Sequence, residues 1–288
     1  MHQCTGAGAL KMTSSRRTFQ RRNGWRPRDY LYHLLGLGED VEGARKIVEN
    51  QFTDIQRLST SNFEVALIAA TEAEARQLVS CILQRCSTAL PIDGGRCGQL
   101  NFTALGQNQA WPDKSFDEFH WLCAPSDSAM PWEHLSGAAD TLHVHYFTQA
   151  EPPAYPHFRS YLWGSQQELA AFWASLYLAR EIRGIPGLKW DSYASWSPGS
   201  TIGQTAAGWG STPTAAIASL LANTPLAMRS CARDALLVVE ANYGFTWGDY
   251  ADVMEHVGKA IGRDVIPTGW MSANYSGYGL KLLVFSPA

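Results

Sequence analysis

The stretch GQTAAGWGSTPTAAIASLLANTPL, residues 203–226, places a glycine–tryptophan–glycine step directly ahead of a run of small apolar residues. Two readings compete for it. A phosphate-cradling loop sits between a strand and a helix and carries a lysine. Here no lysine is present and the segment upstream reads as a long helix, so Gly208 and Gly210 are expected to form a turn. Beyond them Thr212 suits a helix cap and Pro213 the first helical position, and Ile217, Leu220 and Leu221 face inward.

Downstream, DALLVVEA (234–241) has the composition of a strand. TWGDYADVMEHVGKAIG then starts at the cap Thr246, sets Tyr250, Val253, Met254, Val257 and Ile261 on one face, and stops at Gly262. DVIPTGWM and GLKLLVFS read as two further strands joined by SANYSGY, which completes a small α+β unit. Upstream, SQQELAAFWASLYLAREI (165–182) is a helix with Leu169, Phe172, Trp173, Leu176 and Ala179 on its apolar face. It runs from the proline-rich break EPPAYPHF to the punctuation RGIPGLKW.

Further upstream, NFEVALIAA (62–70) reads as a buried strand, followed by a helix with Thr71 as N-cap and Glu74 in capping-box position. Ala75, Leu78, Val79 and Ile82 form that helix's stripe. A turn-rich segment around Gly94 and Gly95 precedes a strand at residues 99–105. DEFHWLCA (117–124) and TLHVHYFT (141–148) are strands, with a loop and short helix between them. Residues 40–58 carry an amphipathic stripe of Val41, Ala44, Val48, Phe52, Ile55 and Leu58. Strands alternating with helices predict an α/β fold with a mainly parallel sheet.

Composition narrows the class. The chain of 288 residues is 45% hydrophobic, and its length suits one large domain or two smaller ones. No apolar run approaches the roughly 18 residues of a membrane span, and no secretory signal is read at the N-terminus, so a cytoplasmic protein is expected. Six cysteines without a C-x-x-C pair predict reduced thiols rather than a disulfide or zinc framework. The net charge is −3, with +7 in residues 1–28 and −10 in the remainder. Arg16, Arg17, Arg21, Arg22, Arg26 and Arg28 make that head a candidate for nucleic acid or an anionic membrane, set against the plainer reading of a solvated arm.

Eight pieces taken in order resemble the FtsZ branch of the tubulin superfamily. They are AAFWASLYLAREIRGIPGL, KWDSYAS, GQTAAGWG, TAAIASLLANTPL, ARDALLVVEA, YADVMEHVGKAI, DVIPTGWM and GLKLLVF, spanning about residues 165 to 285. The resemblance implies a degenerate Rossmann-like nucleotide-binding half, a long central helix and a smaller α+β C-terminal domain. The domain plan is a basic arm plus amphipathic helix at 1–60, a shortened nucleotide-binding-like domain at 61–160, the central helix and connector at 161–190, and the C-terminal domain at 191–288. In the family a glycine-rich turn after the first strand and a glycine–threonine loop further on cradle GTP. Here those places hold AATEAEA and APSDSAMP, without glycine and with Glu72, Glu74 and Asp127 adding negative charge. The family's synergy loop ends in acidic residues that position water on the neighbouring subunit's nucleotide. In this chain Ser192 and Ser195 take those places, and Asp191, one residue off register, is the one catalytic candidate, against its plainer reading as a turn aspartate.

The expectation is therefore a bacterial, FtsZ-like interaction or assembly factor without cofactor, partnered by itself or another FtsZ-like protein. Trp190, Asp191, Tyr193, Ser195, Trp196 and Trp209 form its expected contact surface, because exposed tryptophan and tyrosine favour interfaces. Two alternatives stand beside it: a GTP-hydrolysing polymer former with an unorthodox loop such as IDGGRCG, and a nucleic-acid binder using the basic arm. His143 and His145 alternate onto one strand face, with His120, His157 or Cys123 as further metal ligands to consider. Without a ligand-spacing motif the plainer account of two strand histidines is preferred, and no metal is expected.

Overall fold

Within FEVALIA, residues Phe63–Ala69, the side chains of both faces are buried apart from that of Glu64. A strand covered on both sides belongs inside a parallel sheet. The computed structural model places it there, describing residues 62–90, 92–110, 112–122, 139–147, 158–182 and 201–287.

In chain order the elements are β1 (Phe63–Ala69), α1 (Glu72–Cys86), β2 (Ile92–Asp93), β3 (Arg96–Cys97), β4 (Leu100–Gly106), β5 (Phe116–Leu122), β6 (Ala139–Tyr146), β7 (Arg159–Leu162), α2 (Gln166–Glu181), β8 (Thr201–Gly210), α3 (Pro213–Asn223), α4 (Leu226–Ser230), β9 (Asp234–Ala241), α5 (Trp247–Ile261), β10 (Val265–Met271) and β11 (Tyr278–Pro287). They build one 11-stranded sheet in the order β10-β9-β11-β8-β7-β6-β5-β1-β4-β3-β2. The run from β4 through β1, β5, β6 and β7 to β8 is parallel throughout. Only β11, paired with β8 and β9, and the small β2–β3 hairpin beside β4 run antiparallel to their neighbours. The fold is mixed α/β with a mostly parallel sheet.

Capping fixes the helix starts as the residues foretell. Thr71 and Glu74 form a reciprocal capping box on α1, and Thr246 and Asp249 form one on α5. The α5 helix ends at Gly262 with φ 68°, a left-handed turn that suits glycine. Helix α2 is buried nearly all round, from Leu169 to Leu178. A helix apolar on all sides belongs inside a protein, and this one joins a core that includes Leu78 and Ile82 of α1, Tyr161 of β7, Leu236 of β9 and Phe285 of β11.

The opening stretch departs from expectation. Thr201–Gly210 is a ten-residue strand, not a turn. Its glycines serve close packing: a Cβ on Gly208 would lie 2.5 Å from the Leu220 Cα, and one on Gly210 would lie 2.7 Å from the Ala215 carbonyl carbon. Helix α3 therefore lies flush on β8, a contact that no local pattern announces. Strand β7 also escapes sequence reading, because four residues behind a proline-rich break carry too little periodicity. The amphipathic segment 40–58 and the short helix expected between β5 and β6 lie outside the described residues.

Candidate functional site

In a sheet of this order ligands bind beyond the carboxyl ends of the strands flanking the switch point, here β1 and β5. The loop after β5 lies outside the described residues, whereas the loop after β1 is described. It enters α1 through Thr71, whose hydroxyl accepts from the Glu74 N–H at 3.2 Å while the Glu74 carboxylate accepts from the Thr71 N–H at 3.2 Å. Glu72 sits at the same end, bonded to Arg76 and to the Gln109 amide, and the Gln109 side-chain oxygen accepts from the Gly106 N–H at 2.9 Å. The Gln109 hydrogen bond, followed by Arg76, holds the Glu72 carboxyl below the usual range. The helix N-terminus, where a phosphate would bind, thus carries the chain's own carboxylates.

A denser group of polar side chains lies under α2. Glu118 and His120 project from β5, His143 and His145 from β6, and Tyr161 from β7, with Trp163 just beyond it, and all are buried. Register brings them together: His120 lies opposite His143, and His145 opposite Tyr161. From α2, Trp173 stands edge-on to His120 with ring centres 4.5 Å apart, and the Tyr177 hydroxyl donates to Glu118 Oε2 at 2.8 Å.

Hydrogen bonds link the group into a chain. Trp163 Nε1 donates to His145 Nδ1 at 2.9 Å, His145 Nε2 lies 2.9 Å from His120 Nδ1, and His120 Nε2 lies 3.2 Å from Glu118 Oε2. His143 Nδ1 is 2.9 Å from the Tyr161 hydroxyl, and its Nε2 faces Glu118 Oε1 at 3.4 Å. Burial alone would raise the Glu118 carboxyl, but the hydrogen bond from His120 and the nearness of His143 outweigh it and hold the group low. Burial, with His120 beside it, pushes His143 down to about 3, and burial likewise pushes His145 well down.

Glu118, His120 and His143 offer one ligand atom each, all within 4.8 Å of one another, and this donor set suits zinc chemically. The ring geometry does not suit an ion. A metal lies in the plane of each imidazole that binds it, yet the His120 and His143 rings are stacked, 17° from parallel at 4.5 Å. His120 Nδ1 is taken by His145, in a ring coplanar with it to 2°. The arrangement suits proton-holding hydrogen bonds better than convergent coordination.

Of the expected contact surface, Trp209 is described: it is 58% exposed on β8. Trp190, Asp191, Tyr193, Ser195 and Trp196 lie outside the described residues, as do the arginines of the basic arm, Cys123 and His157. The glycine turn of IDGGRCG closes the β2–β3 hairpin at the far edge of the sheet, away from the switch point. No helix among the described residues is long and apolar enough to cross a membrane. Sequence reading brought His120, His143 and His145 into view but missed Glu118, Tyr161, Trp163 and Tyr177. The available signal was the repeated polar-x-polar or aromatic-x-aromatic alternation, E-x-H, H-x-H and Y-x-W, in three successive strand regions.

No family model and no curated protein matches the chain. Solved structures do. FtsZ from M. jannaschii, an empty dimer, aligns over 83% of this chain and 91% of its own at 11% identity and a TM-score of 0.48. CetZ2 from Haloferax volcanii, a GTPgS-bound protofilament, aligns over 86% of this chain and 71% of its own at 12% identity and a TM-score of 0.37. CetZ1 from the same organism, a GDP-bound monomer, aligns over 58% of this chain and 54% of its own at 11% identity and a TM-score of 0.34. FtsZ is also the family that the eight sequence pieces resemble. At these identities and TM-scores no activity passes from those proteins to this one.

Proposed function

We propose that this chain is a divergent FtsZ/tubulin-like protein working as a non-catalytic interaction or assembly factor, with a role in cell division or a related cytoskeleton. One observation carries the reading: the N-terminus of α1 is capped by Thr71 and Glu74 and flanked by the ionised Glu72. A nucleotide's phosphates need close-approaching backbone amides there and a field that tolerates their charge. Both are replaced by carboxylates of the chain itself. The exposed Trp209, with Tyr243 and Trp247 also exposed, supplies apolar area of the kind that contacts use, and self-association is the first contact to seek.

The test is titration calorimetry with GTP alongside sedimentation of the full chain with and without nucleotide. The expected outcome is no GTP binding in the micromolar range and no nucleotide-dependent pelleting. GTP turnover that is lost on changing Asp191 would replace this reading with that of an unorthodox GTPase. Steeply salt-dependent DNA binding that disappears on deletion of residues 1–28 would replace it with that of a nucleic-acid binder.

A further inference from the structure

We propose that Trp163 sets the direction of a buried hydrogen-bond relay, Trp163 to His145 to His120 to Glu118, which holds Glu118 as a carboxylate against α2 and latches the sheet to that helix. The direction follows from donor chemistry. An indole N–H can only donate. Its 2.9 Å bond therefore makes His145 Nδ1 an acceptor, and the neutral His145 ring keeps its proton on Nε2. That proton points at His120 Nδ1, 2.9 Å away in a coplanar ring, and makes it an acceptor in turn. His120 then carries its proton on Nε2, which is shared between the Tyr177 hydroxyl at 3.0 Å and Glu118 Oε2 at 3.2 Å. The Tyr177 hydroxyl of α2 donates to the same oxygen at 2.8 Å, so the relay ends at the joint between sheet and helix.

The branch through His143 agrees. A ring lone pair aimed at the Glu118 carboxylate would be repelled, so His143 keeps its proton on Nε2, facing Oε1, and its Nδ1 accepts from the Tyr161 hydroxyl. The relay also disfavours an ion at this site. Binding at His120 Nε2 needs a lone pair there, but the chain of donors starting at Trp163 leaves a proton on that nitrogen.

Among the described residues, the titratable and charged groups facing the relay are Glu118 and His120 from β5, His143 and His145 from β6, Arg159 and Tyr161 from β7, and Tyr177 from α2. The neighbouring parts of α1, β1 and β4 contribute the apolar Leu78, Ile82, Val65, Leu67 and Phe102. A proton added to His145 has no lone pair to occupy until its link to Trp163 breaks. Protonation then sets the new His145 N–H against the indole N–H of Trp163. Acid therefore opens the latch as a unit and releases α2, the helix that joins the two halves of the sheet.

The experiment is nitrogen-15 NMR of the histidine side chains in the full chain, which reads tautomer and charge directly. At pH 7 His143 and His145 are expected as neutral Nε2–H tautomers, and His120 is expected to donate from Nε2 and accept at Nδ1. Trp163→Phe frees His145 Nδ1, so that His145 takes a proton at higher pH and the acid transition moves up by about 1 pH unit. Trp173→Phe, which alters packing against the same rings but no link of the relay, is expected to leave tautomers unchanged. An Nδ1–H tautomer at His145 or His120 in the unaltered protein overturns the proposal. Stoichiometric binding of zinc or cobalt that is lost in Glu118→Gln overturns it as well, in favour of a metal centre. Should Trp163→Phe fail to fold, the tautomers of the unaltered chain and the metal titration still decide.

Discussion

Lys281 and Glu240 show how much one side chain can hold. Lys281 Nζ lies 2.5 Å from Glu240 Oε1 and 2.9 Å from the Ala171 carbonyl of α2, while the Tyr275 hydroxyl donates to Glu240 Oε2 at 2.8 Å. Ser175 of α2 bonds to Glu240 as well. Burial would raise the Glu240 carboxyl, but the charge of Lys281 and the hydrogen bonds hold it below the usual range. A buried pair costs desolvation, and removing one partner costs more, because the other is left uncompensated. Lys281→Met is expected to destabilise the protein by about 3 kcal/mol, and Lys281→Met with Glu240→Gln by clearly less. Urea unfolding of the single and double variants measures both, and equal losses would show that the charge pair is not the source. Neither residue stood out in the sequence, since a glutamate and a lysine at the alternating positions of two strands read as solvent-facing.

Among the elements, β8 and α3 carry the clearest dependence on close approach. The sequence supplies the helix start at Thr212, and Pro213 stands at the first helical position as expected. It does not supply the strand, because glycine and alanine lower strand propensity and GQTAAGWG lacks a β-branched alternation. Pairing decides it: β8 lies between β7 and β11 and bonds to both. Gly208→Ala pushes a methyl group into the α3 backbone at Leu220 and is expected to cost about 1–3 kcal/mol, in the range of overpacked cores. Thermal or urea unfolding reads that loss. A neutral result would mean that α3 moves away from β8 without penalty.

Across the whole molecule, buried titratable groups set the pH dependence. His143, pushed down to about 3 from an ordinary 6.5, and His145, also well below 6.5, bind fewer protons folded than unfolded. Their contribution is fully present above pH 6.5 and is lost as pH falls below it, because the unfolded chain takes up protons that the folded chain refuses. Glu118 and Glu240, both held below 4.5, add stability that is present above that value and is lost below it. The unfolding free energy is therefore expected to fall from pH 6.5 toward pH 4, with about two protons taken up on unfolding near pH 5 from these two histidines. Urea midpoints measured across that range test it, and a flat profile from pH 7 to 5 would show these histidines to be protonated in the fold.

The separate elements were legible because their causes are local. Capping boxes at Thr71 and Thr246, the stop at Gly262, and the apolar stripes of α1, α2 and α5 follow from neighbours within a turn or two. The missing glycines after β1 were equally plain, and the self-capped α1 start shows what stands in their place. Strand period also set His143 and His145 on one face. That Glu118, Tyr161, Trp163 and Tyr177 join them was decided only by the tertiary structure. Period two says which face a side chain takes but not which strand lies next to it or which helix covers it. Those choices rest on register between segments far apart in the chain and on the packing of Trp173 of α2 against His120, His143 and Tyr161, whose energies no short stretch contains.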